Sequence, residues 1–345
     1  MKILIVNDYA YPAGGIEVFL DEVVLATKEW VDYRMLTWPP AENLPKRSEI
    51  IPTERINCGS FTQILSALQW ADLIFLPLSW NIRVLASIVR DYCRSSRTPL
   101  VTVVHTSCNS SKECSFDDFQ RKLMREVLEL SEVVIGVSDD VLESLQDLKL
   151  ADTNNSDKYR KIENTSRFAP RSTKSQQRKT VSFVGRPTYV KGIDLFLQIA
   201  EQLHDTHLKF KLNTVSLPPP EEAKKLPNVV ECQWLVSDEQ MIEFYDSTDL
   251  LITPYRKADG LPMTIVEALS RQVPVIGFNT PGVGDVLSRH HQLVLAPEDV
   301  FGLAETVRNW HQGRLALDVP NPSQIPTWEE QGMKYVHIFR EVLNV

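Results

Sequence analysis

The chain has 345 residues, 43% of them hydrophobic and 24% charged, with a formal net charge of −8. That length exceeds one average domain and suits two of about 150 residues, each able to bury its own core. The acidic balance argues against general nucleic-acid binding, which needs a basic surface to neutralise phosphates, and leaves room only for a local basic pocket.

Met1-Lys-Ile-Leu-Ile-Val6 reads as an opening strand; its apolar part is too short for a signal peptide. No apolar run approaches the roughly 20 residues of a membrane span. The five cysteines are scattered and odd in number, which suits a reduced, cytoplasmic compartment. Cys108 and Cys114 near His105 lack a C-x2-C spacing and a fourth ligand, so no metal is expected there.

After the first strand comes a loop over Asn7–Ala13. Gly14-Gly15 then opens a helix over Ile16–Lys28 that lines up Ile16, Phe19, Leu20, Val23 and Val24. Two glycines between a strand and its helix allow close backbone approach to a ligand, or simply a turn. Tyr33–Thr37 is the second strand, and Trp38–Pro52, with four prolines, is irregular. A helix over Phe61–Trp70, a strand over Leu73–Leu76, a helix over Val84–Tyr92 and a strand over Leu100–Val104 follow. This alternation predicts a parallel sheet covered on both faces. The last strand delivers His105 at its carboxyl end, where ligands of open α/β sheets bind. The histidine there is a ligand contact or a structural hydrogen-bonder. Phe119–Leu130 is a helix whose Arg121, Lys122 and Arg125 read as a solvated face. Val133–Val137 is a strand, and Ser138 caps a helix running through Leu145.

Lys149–Lys179 is polar and poor in large apolar residues, and reads as the interdomain linker region. A second βα series begins with a strand at Thr180–Val184. The loop Gly185-Arg186-Pro-Thr-Tyr-Val-Lys191-Gly192 follows, then a helix over Ile193–Leu203. Two cations on a glycine-bounded loop at a strand end suit a diphosphate; the alternative is a pair of surface charges. Strands at Leu208–Val215, Val229–Gln233 and Leu250–Thr253 come next, with a helix over Asp238–Asp246. Trp234 at the end of the middle strand is either a nucleobase contact or a core residue.

The chain is organised around Asp249–Asp285. A buried strand stops at Pro254, and a polar segment leads to Asp259. Gly260 turns the chain, and Pro262 stands where a helix starts, its missing N–H being unneeded there. The helix carries Met263, Thr264, Val266 and Glu267 and ends near Gln272. Val273–Ile276 is the next strand, and Thr280–Gly284 a loop opening another helix. Asp259 and Glu267 bracket a helix N-terminus, which favours anions and above all a diphosphate. Glu298–Trp310 is a helix, and Thr327-Trp-Glu-Glu330 opens a terminal helix with capping-box spacing.

The stretch Asp259-Gly-Leu-Pro-Met-Thr-Ile-Val-Glu267, followed by Gln272-Val-Pro-Val275 and Pro281-Gly-Val-Gly-Asp285, resembles the retaining nucleotide-sugar glycosyltransferases of family 4. Gly185-Arg186 with Lys191-Gly192, Gly14-Gly-Ile-Glu17 and His105 match further segments of that family. Its first acid is usually Glu, one methylene longer than Asp259. The resemblance implies an α/β GT-B fold, two Rossmann-like doubly wound domains facing across a cleft. Residues 1–165 would form an acceptor domain, 166–326 a nucleotide-sugar domain, and 327–345 a helix crossing back to the first.

The implied activity is transfer of a hexose, with retention, from a nucleoside diphosphate sugar of the UDP-glucose kind to a hydroxyl acceptor. Arg186 and Lys191 would stabilise the departing diphosphate, and Asp259 and His105 would face the donor sugar. Gly14, Gly15, Gly185, Gly260, Leu261, Met263, Thr264 and Glu267 would bind the donor, Glu267 through the ribose hydroxyls. No cofactor and no metal are implied. The partners would be the nucleotide sugar and a lipid-linked or oligosaccharide acceptor, as in polysaccharide or glycoconjugate synthesis. No nucleic acid and at most peripheral contact with the inner membrane face are expected. Two other classes stay open: a nucleotide-sugar epimerase or phosphorylase on the same fold, and a non-catalytic sugar-nucleotide sensor.

Overall fold

The computed structural model describes residues 1–7, 14–38, 53–78, 84–107, 117–171, 177–215, 217–233, 237–257 and 260–345. Short apolar runs, buried along their whole length, become the central strands of two all-parallel sheets. The chain divides into two compact units: Met1–Asn164 with Asp259–Leu261 and Thr327–Val345, and Thr165–Ala258 with Pro262–Pro326.

In the first unit the strands are β1 (Lys2–Asn7), β2 (Asp32–Thr37), β3 (Glu54–Asn57), β4 (Leu73–Leu78), β5 (Leu100–Val104), β6 (Val133–Gly136) and β7 (Tyr159–Lys161). Five helices alternate with them: α1 (Gly15–Thr27), α2 (Phe61–Trp70), α3 (Val84–Ser96), α4 (Asp118–Leu130) and α5 (Asp139–Asp147). The strand order is β3-β2-β1-β4-β5-β6-β7, so the order reverses between β1 and β4. Every residue of β4, β5 and β6 is buried, as a parallel strand covered on both faces requires.

Three differences from the sequence expectations have physical causes. Strand β4 runs on past Pro77 to Leu78, because its pairing with β1 stops at Phe75 and only β5 follows it to the end. A proline beyond the β1 register leaves no β1 acceptor without its donor. Strands β3 and β7 have only four and three residues and are mostly polar, so no apolar run marked them.

The second unit contains β8 (Thr180–Gly185), α6 (Ile193–Gln202), β9 (Lys209–Thr214), β10 (Val229–Gln233), α7 (Asp238–Asp246), β11 (Leu250–Thr253), α8 (Met263–Ser270), β12 (Val275–Phe278), α9 (Val283–Arg289), β13 (Leu293–Leu295) and α10 (Val300–His311). The sheet order is β10-β9-β8-β11-β12-β13, with the reversal between β8 and β11. Open α/β sheets bind ligands outside the carboxyl ends of the strands at such a reversal. The segments that follow the two strands there are 186–192 and 254–257.

The last helix, α11 (Trp328–Leu343), packs on α1 of the first unit. Its capping box forms: Thr327 N–H donates to Glu330 Oε2 at 2.8 Å, and Glu330 N–H donates to Thr327 Oγ1 at 3.2 Å. Gly332 lets α11 approach α1 closely; a Cβ there would meet Ala26 Cβ at 2.7 Å. Arg160 then grips Glu341 near the helix end with two hydrogen bonds of 2.7 and 2.5 Å. Among the described residues, no helix is long and apolar enough to cross a membrane.

Candidate functional site

In the second unit β8 ends at Gly185, which is buried and lies against Phe183 and the Tyr255 hydroxyl. Arg186 follows, exposed, and a single 3₁₀ turn brings the chain to Lys191. Lys191 is only 8% exposed, and its Nζ stands 4.0 Å from the centre of the Tyr255 ring. Gly192 then takes φ +70°, and a Cβ there would meet the Pro254 carbonyl oxygen at 2.0 Å. Only glycine fits a left-handed position pressed this closely on backbone. The loop is thus folded down onto the segment that follows β11.

Two consecutive residues of that segment hold the loop. Tyr255 is buried, with its hydroxyl 3.3 Å from Thr264 Oγ1 and 3.4 Å from the Val184 carbonyl. Arg256 points the other way. Its guanidinium donates to both Asp194 oxygens at 2.7 Å and to the Tyr189 carbonyl at 2.8 Å, and stacks 3.8 Å from the Tyr189 ring centre. The Arg256 N–H donates to the Val190 carbonyl at 2.9 Å. The Arg256 hydrogen bonds hold the Asp194 carboxyl below its usual range, against the opposing effect of partial burial.

Met263 and Thr264 open α8 after Pro262, Met263 buried and Thr264 half-buried. Glu267, one turn further on, is 3% exposed. Its Oε2 accepts from the Tyr245 hydroxyl at 3.0 Å, and its Oε1 lies 3.0 Å from Arg167 Nε. Arg167 also pairs with Asp238 at 3.0 Å and lies over the Phe168 ring at 4.7 Å. Burial pushes the Tyr245 phenol well above its ordinary range, and the charge of Glu267 adds to that. Glu267 is therefore a fixed carboxylate, oriented by Arg167 and Tyr245 before any ligand arrives.

In the first unit Gly14 precedes α1, and Gly15, its first residue, is exposed. The Gly14 N–H donates to Glu17 Oε2 at 2.7 Å, and Asn7 Nδ2 donates to Glu17 Oε1 at 3.3 Å. The glycine pair thus carries its own carboxylate. His105 is 8% exposed and packs edge-on against Phe19 of α1, with ring centres 4.4 Å apart. Burial pushes its imidazole down to about 3, so the ring is neutral at neutral pH. Phe19 in turn touches Trp328 and Tyr335 of α11, at 5.9 and 5.8 Å between ring centres.

Gly260 and Leu261 join this unit. Gly260 takes φ +61°, where a Cβ would meet the His105 carbonyl oxygen at 2.1 Å. The Gly260 N–H donates to Ser107 Oγ at 3.3 Å, and Asn164 Nδ2 donates to the Leu261 carbonyl at 2.9 Å. Asp259 and Trp234 lie outside the described residues.

The structure therefore brings Gly185, Lys191 and Thr264 together around Tyr255, and sets Gly260 against His105. Sequence reasoning missed Tyr255, Arg256, Asp194, Arg167 and Tyr245. The only local signal for the first two was their position directly after a strand end. A shallow groove of about 670 Å³ beside Arg125, Glu129, Lys149 and Lys158 contains none of these residues.

Residues 178–312 match the family described as Glycosyl transferases group 1. Over 133 residues the chain is 26% identical to a putative teichuronic acid biosynthesis glycosyltransferase, TuaC, of Bacillus subtilis, covering 39% of this chain. The match spans 33%, about a third, of that relative's length. Among solved structures, sucrose-phosphate synthase of Thermosynechococcus elongatus superposes with a TM-score of 0.76 at 15% identity, covering 99% of each chain. Anabaena HepE in complex with UDP-glucose superposes with a TM-score of 0.75 at 15% identity, covering 99% of this chain and 100% of the other. The fold is GT-B, and residues 178–312, within the second unit, are similar to the group 1 glycosyl transferases.

Proposed function

We propose that this protein is a retaining glycosyltransferase that moves a hexose from a nucleoside diphosphate sugar, of the UDP-glucose kind, to a hydroxyl acceptor. The observation that carries this reading is the loop 186–192. It sets a buried Lys191 and an exposed Arg186 at the carboxyl end of β8, inside the segment that matches the family. The UDP-glucose complex of the structurally similar HepE supports the choice of donor.

In this reading the bond from the anomeric carbon to the diphosphate breaks and its electron pair leaves with the diphosphate. The acceptor oxygen bonds to the same carbon on the same face, and its proton passes to the departing phosphate oxygen. Arg186 and Lys191 meet the growing negative charge, and the start of α8 adds the positive end of its helix dipole. Glu267 takes the ribose hydroxyls. His105, neutral, and Asp259 contact the sugar. Fixed cations of this kind stabilise the leaving group without a divalent ion, so transfer is expected to be metal-independent.

The test is release of UDP from UDP-glucose, with and without candidate lipid-linked and oligosaccharide acceptors, in the presence and absence of EDTA. Acceptor-dependent release that survives EDTA supports the reading. Nucleotide binding with no release under any condition favours a sensor, and loss of activity restored by magnesium or manganese overturns metal independence.

A further inference from the structure

The clasp formed by Arg256 lies outside the residues that meet the donor, and it carries an inference about charge. Asp194 sits in the first turn of α6, where the backbone of Asp194 and Leu195 helps to hold its carboxyl below the usual range, after the larger effect of Arg256. That is the positive end of the helix behind the Arg186–Lys191 loop. An uncompensated carboxylate there opposes any anion that approaches the loop. Glu298, with its Oε2 3.7 Å from Arg256 Nε, adds a second acid to the same cluster.

We propose that Arg256 is a positioning residue that makes this helix end a receptor for anions, by neutralising Asp194 and clamping the backbone at Tyr189 and Val190. The guanidinium suits both tasks, since its planar fork takes both carboxylate oxygens and still donates to a carbonyl. Its side chain is 6% exposed while that of Asp194 is 41% exposed, so solvent screens the pair on the carboxylate side. Without Arg256, Asp194 and Glu298 stand uncompensated behind the loop, and its attraction for a diphosphate falls. This inference rests on the reading of Arg186 and Lys191 as diphosphate ligands.

The experiment is calorimetric titration of UDP and of inorganic pyrophosphate into wild type, Arg256→Met, Arg256→Lys, Asp194→Asn and the double variant Arg256→Met/Asp194→Asn. Thermal unfolding of each is measured alongside. For Arg256→Met, both ligands should bind about tenfold more weakly, the scale of one uncompensated charge at this range. The double variant should recover at least about threefold of that loss, and Arg256→Lys should stay within about threefold of wild type. Asp194→Asn alone should bind as tightly as wild type or tighter, which keeps the test valid if Arg256→Met unfolds. Equal weakening in Asp194→Asn and Arg256→Met, or a double variant no better than Arg256→Met, overturns the neutralising role. Wild-type binding that Arg256→Met leaves unchanged overturns this inference alone. Failure of the wild type to bind either probe overturns it together with the donor reading.

Discussion

The Lys191 ammonium lies over the face of the Tyr255 ring, 4.0 Å from its centre, and both residues are buried. A ring face holds a cation in place without cancelling its charge as a carboxylate would. The ring face thus fixes the orientation of the Lys191 ammonium.

In the transferase reading, replacing Lys191 or Arg186 by Met should each lower turnover by about 10²–10³, because the charge assigned to them grows in the transition state. The double variant should fall to background while circular dichroism shows an unchanged fold. Tyr255→Phe should keep most activity and Tyr255→Leu should lose it, since the ring and not the hydroxyl carries the contact. Wild-type turnover in the double variant would return both cations to a surface role.

Glu267→Gln should weaken UDP binding by about 1.5–3 kcal/mol, the scale of a hydrogen bond to a charged group. Glu267→Ala should in addition lower folding stability by about 3–5 kcal/mol, because Arg167 loses a buried partner. The retained pairing of Arg167 with Asp238 places the expected loss at the lower end. Calorimetry and denaturant unfolding separate the two effects. Undiminished UDP affinity in the Gln variant rules out the ribose role.

His105 is buried neutral, with its pKa pushed from 6.5 to about 3. Below pH 6.5 the unfolded chain takes up a proton that the folded chain refuses, so stability present above that pH is lost on acidification. Between pH 7 and 5 the contribution should fall by about 2 kcal/mol, and His105→Asn should remove that part of the slope. Parallel unfolding curves of the two proteins at both pH values would refute the buried neutral state. In the transferase reading, His105→Ala and Asp259→Asn should lower kcat strongly while UDP affinity stays nearly unchanged, and Asp259→Glu should keep some activity.

Much of the architecture was legible because buried parallel strands are written as apolar runs. β1, β5 and β11 each appear at the expected place, followed by the loops that carry Gly14, His105 and Gly260. Spacing alone also marked the Arg186–Lys191 loop and the capping box of α11. The strands it did not reveal, β3, β7 and β13, have three or four residues and owe their pairing to a neighbour. The tertiary structure alone decided which groups hold the site residues. Arg167 stands 100 positions before Glu267, and Arg256 stands 62 after its partner Asp194. Gly260 leaves the unit that flanks it to lie against His105. Periodicity reports how one segment is buried. A charge pair across a sheet's reversal depends on where the chain returns, and no local pattern encodes that.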